Sequence, residues 1–157
     1  MILGTKARYA VMAMVDLAAH ASEGKPVKLA EIAARQEIPL AYLEQIFSKL
    51  RQHELVKSVR GPGGGYRLAR AGSELPVSDI IAAAEESIKM TRCESHAKGG
   101  CMATKARCLT HDLWEGLSGQ IYNYFHAISL EDVCKRNIAH RRNSFEMSAP
   151  PTRAELQ

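Results

Sequence analysis

Three cysteines and a histidine lie within nineteen residues of one another, in the segment CESHAKGGCMATKARCLTH. The four candidate ligands are Cys93, Cys101, Cys108 and His111, with seven, six and two residues between successive members. Thiolates are soft donors and imidazole is borderline, so this set matches zinc or an iron–sulphur cluster. The sequence therefore predicts a metal centre here.

The spacing of these ligands favours an iron–sulphur cluster over zinc. Structural zinc sites usually pair their first two ligands about two to four residues apart, whereas the three cysteines here come singly. A [2Fe–2S] cluster has two terminal positions on each iron and suits such a loop. His96 competes with His111 as the fourth ligand, because Cys93-x-x-His96 is also a ligand-like spacing. His111 is favoured, since it opens a helix that would hold it in place. Cys134 is expected to be a buried free cysteine.

A long amphipathic helix is predicted directly after this loop, from about residue 110. Its apolar stripe repeats every three or four residues and consists of Trp114, Leu117, Ile121, Tyr124 and Ile128. A stripe this apolar favours burial, and pairing with a second copy about a two-fold axis would provide it. Ser129 is expected to cap a short helix that follows. Residues 137–157 are polar, contain two prolines and are predicted to be disordered.

The elements before the loop are predicted to be three helices and a β-hairpin. The helices cover residues 5–21, with Thr5 as the N-cap, then 27–38 and 40–55. The third helix should bury Leu43, Ile46, Phe47 and Leu50 on one face. The hairpin pairs residues 55–59 with 66–68 across a glycine-rich tip, and a fourth helix is predicted over Leu75–Ser87, capped by Ser78 or started at Pro76.

This order of elements is typical of a winged helix-turn-helix protein that binds double-stranded DNA. A recognition helix must bury one face and offer polar side chains on the other, as residues 40–53 do. Gly63 and Gly64 would let the hairpin approach a phosphate backbone, with Arg60 and Arg67 supplying charge beside it. A nucleotide phosphate loop is disfavoured, because no Gly-Lys-Ser/Thr ending follows the glycines.

Charge and composition agree with a nucleic-acid partner. The net charge is +4, but residues 1–72 hold 11 Lys and Arg against 6 Asp and Glu, a net of +5. No stretch approaches the roughly 20 apolar residues of a membrane span, and the N-terminus lacks the order of a signal peptide. A cytoplasmic protein with reduced thiols is expected. No nucleophile–base pair can be placed, so an enzyme is not expected.

Four stretches of the chain resemble the iron–sulphur cluster regulator (IscR-type) family of bacterial transcription factors. They are KARYAVMAMVDLA, YLEQIFSKLR, VRGPGGGYRL and the ending CLTH, and the resemblance extends over about residues 1–135. It implies a homodimeric regulator that holds a [2Fe–2S] cluster and represses cluster-assembly genes. Carried over to this sequence, the cluster ligands would be Cys93, Cys101, Cys108 and His111. The residues facing DNA would include Tyr42, Glu44 and Gln45, with Arg60 at the wing.

Together these observations predict a mainly α fold with a winged helix-turn-helix domain, a cluster-binding loop and a long dimerisation helix. The predicted divisions are a DNA-binding domain at 1–72, a connecting helix at 73–90, a cluster-binding loop at 91–111, a dimerisation helix and cap at 110–136 and a tail at 137–157. Two alternatives stay open: a zinc-stabilised DNA-binding regulator and a small iron–sulphur electron carrier.

Overall fold

The computed structural model describes residues 4–21, 25–84, 101–102 and 106–138. Its helices and strands are, in chain order, α1 (Thr5–His20), α2 (Leu29–Gln36), α3 (Leu40–Gln52), β1 (Val56–Val59), β2 (Gly65–Leu68), α4 (Val77–Ala83), α5 (His111–His126) and α6 (Leu130–Cys134). The predicted mainly α fold with a two-stranded wing is confirmed. Residues 139–157, which hold most of the tail predicted as disordered, lie outside the described residues.

Helix α1 is the centre of the molecule and packs against α2, α3, α4 and α6. It buries three alanines at Ala7, Ala10 and Ala13, together with Met14 and Leu17. Small side chains let neighbouring helices approach closely, which explains how one helix serves four partners. The expected cap is wrong: Gly4 is the N-cap, and Thr5 is already the first helical residue.

Helices α2 and α3 form the helix-turn-helix. Glu37 ends α2 in the left-handed conformation, with φ of 54°, and Pro39 is the N-cap of α3. The predicted buried face of the third helix is confirmed, and it consists of Leu43, Ile46, Phe47 and Leu50. The helix ends at Gln52, earlier than the predicted residue 55.

The wing is fastened to the segment before α2. Strands β1 and β2 pair antiparallel, and Val27 and Tyr66 exchange two backbone hydrogen bonds of 2.8 Å. A Cβ at Gly65 would collide with the carbonyl of Val27, so this approach requires glycine. The ring of Tyr66 also packs edge-on against Phe47 of α3, with centroids 5.0 Å apart. The wing is therefore held at a fixed position beside the third helix.

The segment predicted as a connecting helix packs into the same core. Leu75, Ile80 and Ala84 join the main apolar cluster around α1 and α3, and Leu130 of α6 joins it as well. Helix α4 begins after Pro76 as predicted, but Ser78 is not its cap. Ser78 is buried instead and shares a 3.1 Å hydrogen bond with Nδ1 of His126 in α5. Of the predicted helix Leu75–Ser87, residues 85–87 lie outside the described residues.

Helix α5 buries only one of its sixteen residues, His111, although it is as long as α1, which buries six. Trp114 is 39% exposed, and Leu117, Ile121 and Tyr124 are partly buried. Ile128 departs from the predicted stripe: it lies after the end of α5 and is only 4% exposed, packed with Val77 and Ile81. The chain's own core already covers it, so little of its surface remains for a second copy.

The predicted cap of the short last helix is confirmed. Ser129 accepts a hydrogen bond from the backbone N–H of Asp132, and the Asp132 carboxylate accepts one from the backbone N–H of Ser129. This reciprocal arrangement satisfies donors that a helix start leaves open. No helix in the described part of the chain is long and apolar enough to cross a membrane.

Candidate metal centre and nucleic-acid interface

His111 is the best-defined side chain of the candidate metal centre. Its backbone N–H donates to the carbonyl of Cys108 over 3.0 Å, and this turn leads directly into α5. The residue is 6% exposed, and Nδ1 lies 3.0 Å from Sγ of Cys101. A partly buried thiol and a buried imidazole therefore lie beside each other, and their role as ligands of one centre stays a prediction.

The third described ligand candidate, Cys108, lies three residues before His111 in the chain. It is partly buried, and its Sγ is 3.7 Å from Oγ1 of Thr110. A 3.2 Å hydrogen bond from Met102 N–H to the carbonyl of Ala106 closes the loop between Cys101 and Cys108. Cys93 and His96 lie outside the described residues. The donors that are described, two sulphurs and one ring nitrogen, fit the chemistry of an iron–sulphur cluster.

The opposite edge of the His111 ring faces carboxylates that are not among the ligands predicted from the sequence. Nε2 lies 3.3 Å from Oε2 of Glu115, one helical turn on, and Asp112 is near enough for all three ligand atoms to lie within 4.8 Å of one another. Asp112 also lies 3.6 Å from Arg107, in an exposed ion pair. The signal in the sequence is the His-Asp-x-x-Glu spacing, which places one nitrogen and two carboxylates on the first turn of a helix.

Cys134 lies apart from these groups, on α6. Its Sγ–H donates weakly to the carbonyl of Val15 over 3.8 Å. Burial raises the pKa of its thiol, and the charge of Glu131 acts in the same direction. A thiol kept protonated is a poor ligand and a poor nucleophile.

The predicted DNA-facing residues of the third helix differ in exposure. Glu44 and Gln45 are both exposed on the side opposite the core. Tyr42 is half-buried, and its ring packs edge-on against Tyr9 of α1 with centroids 5.9 Å apart. Packing within the chain therefore already covers part of the surface of the Tyr42 ring.

The wing places its predicted residues in two locations. Arg60 is exposed beside the tip, whereas Arg67 is exposed in the middle of β2. Gly63 has φ of +81° with open space in front of it. Gly64 is required by the hairpin itself, because a Cβ there would collide with the carbonyl of Val59.

A basic groove lies between the end of α3 and the outer face of the wing. Its volume is about 780 Å³, and the charged side chains that line it are Arg51, Lys57, Arg67, Arg70 and a single acid, Glu54. Lys57 stands directly opposite Arg67 in the strand register. Like charges at that position destabilise a hairpin unless an anion is near. Of these four cations, only Arg67 was predicted from the sequence as a contact to DNA. The alternation of the hairpin also places Lys57 on the same face.

A buried carboxylate holds the helix-turn-helix on α1. Asp16 accepts hydrogen bonds from Nη2 of Arg35 at 2.6 Å and Nε2 of Gln36 at 2.7 Å. Burial alone would raise the pKa of Asp16, but the hydrogen bonds from Arg35 and Gln36 and the charge of Arg35 outweigh it, so the pKa is lowered. The Asp16 carboxylate therefore remains ionised and fixes α2 against α1.

Comparison with known proteins gives consistent matches across this fold. The model of the Rrf2 family, described as an iron-dependent transcriptional regulator, matches residues 3–136. The HTH-type transcriptional regulator IscR of Photorhabdus laumondii is 47% identical over 159 residues, which cover 99% of this chain and 94% of that protein. The protein of the same name from Aliivibrio salmonicida is 53% identical over 137 residues, 87% of this chain and 79% of its own.

Solved structures give the same result for the architecture. The structure of T. potens IscR superposes with a TM-score of 0.71 at 38% identity, covering 87% of this chain and 88% of that chain. The structure of CymR (YrzC), described as the global cysteine regulator of B. subtilis, has a TM-score of 0.71 at 28% identity, covering 87% of this chain and 98% of that one.

Proposed function

The chain belongs to the Rrf2 family as an IscR-type transcriptional regulator, and from that premise we propose that it is a homodimeric repressor controlled by a [2Fe–2S] cluster. That the protein is a transcriptional regulator and binds DNA follows from the family itself. The proposal adds the cluster, the dimer and the sensing of iron–sulphur status in the cytoplasm.

The observation that carries the cluster proposal is the 3.0 Å distance between Sγ of the partly buried Cys101 and Nδ1 of the buried His111. Cys93, Cys101, Cys108 and His111 would hold the cluster. A cluster held by these residues would supply a redox-sensitive group, and its loss would change the charge carried by its ligands. A histidine ligand must be unprotonated to bind, so occupancy should fall as pH drops.

Helix packing gives the cluster site a physical connection to the DNA-binding elements. His111 begins α5, which packs on α4, and α4 packs in turn on α1 and α3. Two hydrogen bonds connect α4 to the end of α5 and to the residues that follow it: the Ser78–His126 bond, and the backbone bond from Val77 N–H to Ile128 O at 2.9 Å. We infer that order in the ligand segment reaches α3 through these helices and shifts the DNA-competent population.

The exposed surface of α5 supports the proposed dimer. Trp114, Leu117, Ile121 and Tyr124 keep part of their apolar surface in solvent in one copy. An isologous contact between two α5 helices would bury this stripe on both copies at once. Two recognition helices would then meet a pseudo-palindromic operator, with Glu44 and Gln45 at base edges and Arg60 at the backbone or minor groove.

The decisive experiment is an absorption spectrum after anaerobic purification, combined with operator binding before and after the chromophore is removed. We expect visible bands of a [2Fe–2S] cluster, loss of the bands in Cys101→Ser, and retention in the matched control Cys134→Ser. Site preference should change when the cluster is lost. A colourless protein with zinc bound and full regulated DNA binding would contradict the cluster proposal and support the zinc alternative.

A further inference from the structure

One buried ring nitrogen in this protein has no hydrogen-bond partner among the described residues. Nε2 of His111 is shielded from solvent and makes no hydrogen bond, although Oε2 of Glu115 is only 3.3 Å away. The two atoms are close but not aligned for a hydrogen bond. Because buried polar groups are almost always satisfied, this nitrogen requires an explanation.

Neither neutral form of the ring satisfies both nitrogens. If the Cys101 thiol donates to Nδ1, then Nε2 carries a buried N–H that no oxygen accepts. If Nδ1–H donates to the sulphur, the Nε2 lone pair faces the lone pairs of the Glu115 carboxylate. A metal ion between the lone pair and the carboxylate satisfies every group in the second arrangement.

We propose that Nε2 of His111, Asp112 and Glu115 form a binding site for a divalent cation, on the ring edge opposite Cys101. Their ligand atoms lie within 4.8 Å of one another, so small side-chain rotations bring all three onto one ion. One imidazole nitrogen and two carboxylates suit Mn²⁺, Fe²⁺ or Zn²⁺. Solvent can supply the remaining ligands, because Glu115 is partly exposed and Asp112 is largely exposed.

The charges around the site favour a cation despite its position at a helix start. The N-terminus of a helix carries about half a positive charge, and the two carboxylates of the site exceed this. Arg107 is a competing cation, at 3.6 Å from Asp112. That pair is exposed on both sides, so a divalent ion can replace it at little cost.

The site has a consequence for cluster loading, and this part rests on the proposed function. A neutral imidazole has one lone pair, which is either on Nδ1 beside Cys101 or on Nε2 beside the carboxylates. A cation bound to Nε2 therefore requires the tautomer that carries its proton on Nδ1. That tautomer cannot ligate a cluster through Nδ1. Divalent metal would hold the cluster-free protein in that form and oppose cluster assembly.

The test uses the full chain freed of cluster, with Mn²⁺ alone as the probe. Mn²⁺ prefers nitrogen and oxygen ligands to thiolates, so the cysteines should not capture it. Electron paramagnetic resonance measures free Mn²⁺ during a titration. We expect one ion per chain, with affinity at least about tenfold lower in Glu115→Gln and in Asp112→Asn, since even outer-shell partners of a metal cost this much.

Two further variants are controls for the loss of a thiol and for general charge effects. Cys134→Ser should keep Mn²⁺ binding, because its thiol lies on α6 and contacts the carbonyl of Val15, apart from this site. Glu131→Gln removes an acid at the corresponding i, i+4 position of α6, where Glu131 pairs with Lys135, and should also leave binding unchanged. Circular dichroism melting of each variant checks that it is folded.

Equal Mn²⁺ affinity in the wild type and Glu115→Gln, or no binding to the wild type, would overturn the site. If Mn²⁺ binds but leaves the rate of cluster reconstitution unchanged, the exclusion between the two is wrong. A protein that forms no cluster yet binds Mn²⁺ through Glu115 would sink the proposed function and leave this site standing.

Discussion

Helices α3 and α5 have similar apolar periodicity but opposite fates in one copy of the chain. Helix α3 has thirteen residues and buries four large apolar side chains, Leu43, Ile46, Phe47 and Leu50. Helix α5 has sixteen residues, and the single side chain that it buries is the polar His111. An apolar stripe in the sequence therefore indicates which face of a helix is to be covered. It does not indicate which other surface covers that face.

The DNA-binding half is therefore stabilised within one copy, whereas the stripe of α5 is only partly covered. Each large apolar side chain that is fully buried contributes roughly 1.5–3 kcal/mol, so the four on α3 form a substantial part of the fold's stability. The partly exposed stripe of α5 would gain most of its contribution only if a second surface covered it. The predictions below test this division.

Phe47→Ala should have the largest effect. Phe47 is fully buried and contacts the ring of Tyr66 in the wing, so we expect the free energy of unfolding to fall by about 3–5 kcal/mol. Urea unfolding followed by circular dichroism measures it. The matched control is Leu117→Ala on α5, which should cost much less at low protein concentration. Equal losses would show that α5 is as fully packed in one copy as α3.

Asp16→Asn should have the next largest effect, because it weakens the contact that fixes α2 on α1. We expect a loss of about 2 kcal/mol, the range for hydrogen bonds to a charged group, with DNA affinity falling beside it. Restoring DNA affinity at a temperature where the variant is fully folded would contradict a positioning role.

The same residue gives a pH dependence whose sign is fixed. The pKa of Asp16 is lowered in the folded state, so its contribution to stability is present above the unfolded pKa. That contribution is lost as pH falls below about 4 and through the folded pKa. Unfolding curves of the wild type should therefore lose more stability between neutral and acidic pH than those of Asp16→Asn. Parallel curves would show that the carboxylate contributes no ionised contact.

The features that could be predicted from sequence are those that local pattern specifies. The buried face of α3 follows from residue spacing, and the wing follows from the alternating strands around the glycines. The capping box at Ser129 follows from a serine three residues before an aspartate. In each case the pattern and the partner lie close together along the chain, so spacing alone is sufficient.

The features that were missed depend on partners distant in sequence. Ile128 continues the spacing of the α5 stripe, but the helix ends at His126 and the side chain packs on α4. Ser78 looked like a cap and instead bonds to His126. The basic groove is the exception, because its four cations lie within residues 51–70 and the alternation of the hairpin already indicates that Lys57 and Arg67 share a face.

Trp114→Ala tests helix α5, whose apolar stripe is only partly covered in one copy. Trp114 is the largest partly exposed side chain on α5, and tryptophan is enriched among interface residues that dominate binding. We expect dimer dissociation to become easier by at least about tenfold, or 1.4 kcal/mol, with the monomer still folded. Analytical ultracentrifugation across a concentration series measures it. A dimer of unchanged affinity would place the interface away from this stripe.

Lys57→Gln should have the smallest effect. It concerns the DNA-binding half, which is stabilised within one copy. If the groove beside the wing contacts one backbone phosphate, the slope of log affinity against log salt should fall by about 0.9 per groove. The proposed dimer presents two grooves, so the decrease should be about twice as large in the wild-type background as in the Trp114→Ala background at protein concentrations where that variant is monomeric. Affinity should weaken evenly across operator sequences, since phosphates carry no sequence information. Lys135→Gln on α6 makes the same change in net charge outside the groove, and an equal decrease in slope there would show that general charge, and not the groove, acts on DNA.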